Sequence, residues 1–282
     1  MDDAVHTLPP LREVIAHNKL SADKRFGQNF LLDLNLTSKI ARAAGDLSQG
    51  TIFEVGPGPG GLTRGLLMEG AQHVIAIEKD KRCLDILSDV IQAANGRLEV
   101  LQGDALEQDF TDMGNAPRRI VANLPYNIAT PLLINWLAQA SAFKSFTLMF
   151  QKEVAERITA TPGTSAYGRL SVLCNWRCET RLLFTLPPRA FTPAPKVDSA
   201  VAHLIPYDKP HYPCEMADLE IVTQAAFGQR RKMLRGSLKS LGVDLAIIFA
   251  ETDIDPTARA ESLTVEQFAA LARCYRKLKG NP

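Results

Sequence analysis

The 282-residue chain predicts an α/β fold: a mostly parallel sheet ending in an antiparallel hairpin, followed by a small all-helical C-terminal domain. Three features carry this expectation. From residue 51, short apolar runs alternate with helical spacing, the pattern of a parallel sheet covered on both faces. Near Glu179 the alternation stops, and two strand-like runs follow with only a Pro-rich loop between them. At 206–213 three prolines fall in eight residues, and beyond this linker every periodic stretch reads as helix. Domains are therefore expected at 1–206 and 207–282.

Taken in order, residues 1–25 are mixed and polar, with weak helical spacing at 10–17. K-R-F-G-Q-N-F-L (24–31) interrupts it at Gly27, and Asp33 is a candidate cap for a helix over 34–44. The parallel strands are T-I-F-E-V-G (51–56), H-V-I-A-I-E (73–78), L-E-V-L-Q (98–102), R-I-V-A-N (119–123) and F-T-L-M-F-Q (146–151). Helical spacing follows at 62–68, 80–94 and 130–140. R-L-L-F-T-L (181–186) and S-A-V-A-H-L-I-P (199–206) form the hairpin. Tail helices are expected at 215–227, 230–241, 244–250 and 265–278, the last with a capping box of Thr264 and Gln267.

Composition excludes several classes. Hydrophobic residues are 46% and charged residues 22%, the ordinary balance of a soluble globular chain. With 32 basic and 31 acidic side chains, bulk charge points to no partner, and only local clustering can. No apolar run approaches ~18 residues, so no membrane helix is expected. M-D-D-A-V-H lacks a basic segment followed by an apolar one, so no secretory signal is expected. Five cysteines without a C-x-x-C pair disfavour a disulfide framework or zinc site and suit a reducing cytoplasm. The five histidines have no ligand spacing, and no metal is expected.

E-V-G-P-G-P-G-G (54–61) lies where the first strand turns into a helix. Gly56, Gly58 and Gly61 satisfy G-x-G-x-x-G, which by itself suggests a nicotinamide dinucleotide. Pro57 and Pro59, however, remove two N–H groups that a pyrophosphate would want. The same turn occurs in S-adenosylmethionine (SAM) methyltransferases, whose ligand is a nucleoside without phosphate. Glu78 ends the second strand, where a carboxylate can accept from both ribose hydroxyls at roughly 1.5–3 kcal/mol each. Gly103, Asp104 and Ala105 end the third strand, where in SAM methyltransferases an acid meets the adenine amino group.

N-L-P-Y (123–126) ends the fourth strand. It can be a plain strand-to-helix turn, since Asn and Pro are common there. In a SAM-type sheet it can do more. An amine on adenine is a poor nucleophile because its lone pair is delocalised into the ring. Two fixed acceptors, the Asn123 side-chain oxygen and the Leu124 carbonyl, can hold its hydrogens and pyramidalise the nitrogen. Pro125 restricts Leu124 to extended conformations and so aims that carbonyl. Tyr126 offers a face for the base.

With these residues in place, the chain resembles the rRNA adenine N6-dimethyltransferases. G-Q-N-F-L (27–31), F-Q-K-E-V-A-E-R (150–157), Y-G-R-L-S-V (167–172) and F-T-P-A-P-K-V-D-S (191–199) extend the likeness over essentially the whole chain. The resemblance implies a Rossmann-like SAM-dependent methyltransferase fold. It implies dimethylation of two adjacent adenosines near the 3′ end of 16S rRNA in the small ribosomal subunit, with a part in subunit maturation. It further implies SAM contacts at Gln28, Asn29, Leu31, Gly56, Gly58, Glu78, Asp104, Ala105 and Asn123. Phe191 is implied on the far side of the base from Tyr126, although a buried loop aromatic is the commoner fate of Phe. A monomer in the cytoplasm is expected.

No acid occurs between Ile221 and Val243, yet Arg230, Arg231, Lys232, Arg235 and Lys239 do. On one helix, 231, 235 and 239 would share a face. A solvated face usually mixes signs, so a one-sign stripe suggests RNA phosphates. Lys24 and Arg25 form a smaller candidate patch. Rival readings are an antibiotic-resistance methylase of large-subunit rRNA, a DNA adenine methylase, a non-catalytic assembly factor and a nicotinamide dehydrogenase.

Overall fold

The computed structural model describes residues 4–280. Backbone contacts group the chain into two units, residues 1–155 with 181–205, and residues 156–180 with 206–282.

The first unit is built on a seven-stranded sheet. Its parallel strands are β2 (Thr51–Val55), β3 (Val74–Glu78), β4 (Leu98–Gln102), β5 (Arg118–Asn123) and β6 (Ser145–Gln151). The sheet order is β4-β3-β2-β5-β6-β9-β7, where β7 is Cys178–Leu186 and β9 (Ser199–Pro206) runs antiparallel to β6. Every residue of β2 and β3 is buried, which is why these strands read as unbroken apolar runs. The chain builds outward from β2 to β3 and β4, then returns to β5 and β6 on the other side. This reversal opens a crevice at the carboxyl ends of β2 and β5, where ligands of such sheets bind.

The helices follow the expected order. They are α1 (Leu11–His17), α2 (Leu34–Ala43), α3 (Gly61–Met68), α4 (Lys81–Ala94) and α5 (Ala129–Ala138). Asp33 caps α2 by accepting from the Asn35 N–H, and Asp80 caps α4 by accepting from Arg82. One side of the sheet carries an aromatic ladder of Phe53, Phe110, Trp136 and Phe146, its first two contacts edge-to-face and its third stacked. Such pairs contribute about 0.5–1.5 kcal/mol each beyond area burial. Val14 and Leu20 of the N-terminal segment pack with Phe30, Cys83 and Ile86, and Arg64 of α3 donates to the Pro9 carbonyl.

Two features depart from the sequence expectation. Between β7 and β9 the Pro-rich loop forms a two-residue strand, β8 (Phe191–Thr192), paired antiparallel with β1 (Phe30–Leu31). The stretch 230–241 is not one helix. Residues 229–232 form a turn, α9 covers only Leu234–Ser237, and a 3₁₀ turn covers Leu238–Leu241. The Leu234 and Arg235 N–H groups donate to the carbonyls of Ala258 and Pro256, so a helix cannot pass through them.

In the second unit, α6 (Lys152–Thr159) continues from the first, and α7 (Arg169–Arg177) precedes β7. The tail adds α8 (Met216–Gly228), α10 (Leu245–Thr252) and α11 (Val265–Gly280). The capping box of α11 is present: Gln267 N–H donates to Thr264 Oγ1 at 3.2 Å and Thr264 N–H to Gln267 Oε1 at 2.9 Å. Among the described residues no helix is long and apolar enough to cross a membrane.

Candidate active site

A cavity opens at the crevice. It is lined by residues 25–31, by the turn after β2, by Glu78 and Lys79, by residues 103–105 and by residues 123–128. Gln28, Asn29, Leu31, Gly56, Gly58, Glu78, Asp104, Ala105, Asn123, Leu124, Pro125 and Tyr126 all meet there. They come from five separate stretches of chain and converge because each follows the carboxyl end of a strand or lies in the segment crossing above them.

The glycine turn is tight for physical reasons. Gly58 has φ +55°, and a Cβ on it would lie 3.1 Å from the Phe30 ring. A Cβ on Gly61 would lie 2.2 Å from the Leu31 carbonyl oxygen, so α3 can begin under β1 only with glycine there.

Glu78 is 5% exposed. The Gly58 N–H donates to its Oε2 at 2.9 Å and the Asp80 N–H to its Oε1 at 2.7 Å. Burial raises its pKa, against the lowering effect of the backbone N–H groups of Asp80, Gly58 and Lys79. A carboxylate oxygen can accept more than one hydrogen bond, so ribose hydroxyls can add to these contacts. Asp104 differs. Lys79 Nζ donates to it at 2.6 Å and Leu106 N–H at 3.0 Å, and the lysine contact chiefly lowers its pKa. Glu54 also lines the cavity and is 1% exposed. Thr63 Oγ1 donates to it at 2.7 Å, but burial dominates and pushes its pKa up to about 8.

At the end of β5, Asn123 Nδ2 donates to the Asn29 carbonyl at 3.2 Å. A carbonyl can only accept, so this contact fixes the amide orientation and leaves Oδ1 as the open acceptor. The Tyr126 hydroxyl lies 2.8 Å from Ser199 Oγ, itself fully buried at the start of β9. The Pro125 carbonyl accepts from Ile128 and Ala129, tying the turn to α5.

Phe191 does not line this cavity. It is 4% exposed, lies opposite Leu31 in the β1–β8 pair, and packs in the cluster of Leu31, Ile40 and Val201. Gln28 lines the cavity, yet both ends of its amide are engaged, Oε1 accepting from Asp23 N–H and Nε2 donating to Asp80, each at 2.8 Å. Ser199 and Asp80 escaped assignment from sequence. The first closes the F-T-P-A-P-K-V-D-S segment, and the second carries only a capping signal. Among the described residues no group of three or more His, Cys, Asp or Glu is placed to hold a metal.

In the second unit, Arg230, Arg231, Lys232, Arg235 and Lys239 are all exposed. Arg230 is committed internally, to Glu261 Oε2 at 3.1 Å and the Ser165 carbonyl at 2.6 Å. Arg25 pairs with Asp23 at 2.7 Å, while the side chain of Lys24 lies outside the described part.

The family model for ribosomal RNA adenine dimethylase matches residues 19–277. The chain belongs to this family. A relative from Rhodospirillum rubrum, named ribosomal RNA small subunit methyltransferase A, is 60% identical over 266 residues, 94% of this chain and 92% of its own. One of the same name from Paracoccus denitrificans is 60% identical over 273 residues, 96% of this chain and 97% of its own. Among solved structures, a dimethyladenosine transferase from Plasmodium falciparum superposes with TM-score 0.74 at 27% identity, covering 85% of this chain and 94% of that one. The 23S rRNA methyltransferase ErmE gives TM-score 0.67 at 25% identity, covering 87% and 99%. The adenine dimethylase is thus a SAM-dependent methyltransferase with a Rossmann-like fold.

Proposed function

We propose that this dimethylase transfers four methyl groups to the N6 atoms of two adjacent adenosines near the 3′ end of 16S rRNA. It acts as a cytoplasmic monomer on the maturing small subunit. The observation that carries the reading is Asn123: its Nδ2 is spent on the Asn29 carbonyl, so its oxygen is the acceptor presented beside Leu124 and Tyr126.

SAM supplies a methyl group already activated on a sulfonium. The residues fit it: a buried Glu78 carboxylate lining the cavity for the ribose hydroxyls, Asp104 and Ala105 for the adenine edge, and Asn29, Leu31, Gly56, Gly58 and Asn123 around the remainder. The acceptor pair, Asn123 Oδ1 and the Leu124 carbonyl, holds the target amine with its lone pair toward the cavity, and Pro125 stiffens that geometry. Tyr126 stacks on the base, which must leave its own stack to enter. Phe191 faces the base from the other side; its ring is buried in the core, opposite Leu31 in the β1–β8 pair, so this role requires it to turn outward as the base enters. No strong base is needed, because the methylated ammonium on a purine ring is acidic and gives up its proton to water. Positioning can contribute ~7–11 kcal/mol to such a reaction. Residues 1–206 serve as the methyltransferase domain with its N-terminal extension. Residues 207–282 bind RNA, with Arg231, Lys232, Arg235 and Lys239 on phosphates and Arg230 holding the turn that presents them.

The test is transfer from labelled SAM to immature ribosomal subunits. Label on 16S rRNA is expected. Label on 23S rRNA instead, or on neither, overturns the assignment.

A further inference from the structure

The segment before β1 forms the outer wall of the cavity, with Arg25, Phe26, Gly27 and Gln28 among its lining residues. One carboxylate, that of Asp80, ties it to the start of α4. Asp80 is 3% exposed and accepts four hydrogen bonds. Arg82 N–H (3.1 Å) and Nε (3.0 Å) donate to Oδ1, while Arg82 Nη2 (2.6 Å) and Gln28 Nε2 (2.8 Å) donate to Oδ2. A helix cap needs only the first of these. The others lead outward: Gln28 Oε1 accepts from Asp23 N–H, and Arg82 Nη1 donates to the Ser21 carbonyl at 3.3 Å. They also lead inward, because the Asp80 N–H donates to Glu78 Oε1 at 2.7 Å.

We propose that Asp80 is a positioning residue for SAM binding: with Gln28 and Arg82 it forms a clasp that fastens the 21–28 wall and the ribose-binding Glu78 in one arrangement. Gln28 then acts through Asp80 rather than by touching the cofactor. The Arg82 guanidinium keeps Asp80 ionised, its pKa lowered despite burial, so the clasp holds at neutral pH. Ordering a loop at the moment of binding weakens affinity, and a wall ordered beforehand avoids that loss. The proposal rests on the reading of this cavity as the SAM site.

Asp80→Asn separates clasp from cap. Asn caps a helix as well as Asp, but it brings a second NH₂ against Gln28 or Arg82. SAM affinity should fall about 10-fold with faster dissociation, and the loss should appear in KM for SAM rather than in kcat. Gln28→Ala should do the same, and the double variant should be no worse than either single one. Amide hydrogen exchange at residues 21–28, measured without SAM, should accelerate about 10-fold in Asp80→Asn. Unchanged exchange, unchanged SAM affinity, or additive losses in the double variant overturns the clasp. If the parent protein binds no SAM while exchange still accelerates, the cofactor reading fails and the fastening stands.

Discussion

The Tyr126 hydroxyl lies 2.8 Å from Ser199 Oγ and so joins the turn after β5 to the first residue of β9. The bond connects two segments that sequence inspection treats separately, N-L-P-Y and the last residue of F-T-P-A-P-K-V-D-S. It fixes the tilt of the ring proposed to stack on the base. Tyr126→Phe and Ser199→Ala should therefore have similar, moderate effects, each near the ~1 kcal/mol of a lost neutral hydrogen bond, and should not add when combined. Tyr126→Ala removes the ring itself, worth roughly 1–3 kcal/mol per stacked base, and should be much slower. Single-turnover methyl transfer measures all four variants. Equal rates for Tyr126→Phe and Tyr126→Ala would assign the function to the hydroxyl and not to the ring.

Glu78 and Gly58 should govern cofactor affinity together, because the Gly58 N–H sits on Glu78 Oε2. Glu78→Ala removes acceptors for two hydroxyls and should weaken SAM roughly 10–100-fold by calorimetry. Gly58→Val should weaken it comparably, since its Cβ meets Phe30 and its φ is left-handed. Parent-like binding in both folded variants sinks the ribose assignment.

Glu54 gives a pH signature. Burial raises its pKa from 4.5 to about 8, so between these values the folded protein holds a proton that the unfolded chain releases. Stability must then fall as pH rises through that window. Glu54→Gln keeps the shape and cannot ionise. The stability of the parent relative to this variant should decline with rising pH, read from paired thermal melts. A flat difference shows that Glu54 ionises in the folded state with its ordinary pKa.

The exposed bases of the tail should act on RNA alone. Changing Arg231, Arg235 and Lys239 to Glu should weaken subunit binding, flatten its salt dependence and leave SAM affinity intact. Arg230 is left out because it is tied to Glu261 and Ser165. Normal binding of the triple variant at all salt concentrations would make the stripe an ordinary solvated surface.

The middle of the sheet was legible because β2, β3, β5 and β6 are buried on both faces and advertise themselves as apolar runs, and the acids at the strand ends mark the crevice. Local capping was legible too, at Asp33 and at Thr264 with Gln267. What escaped is non-local. β1 and β8 are two residues each and exist only because distant segments pair. The run of bases at 230–239 has helical spacing, yet the carbonyls of Pro256 and Ala258 take the N–H groups that a helix would need. The bond from Gln28 to Asp80 crosses 52 residues, and nothing local announces it.

The most direct test of the central claim is the nucleoside product made by the parent and by Asn123→Ala on immature small subunits. The parent should yield N6,N6-dimethyladenosine at two adjacent positions near the 3′ end of 16S rRNA. Asn123→Ala, lacking one of the two acceptors that orient the amine, should be slowed at least ~10²-fold with SAM saturating. Absence of dimethyladenosine from the parent's product, or a parent-like rate for the folded Asn123→Ala protein, would contradict the account.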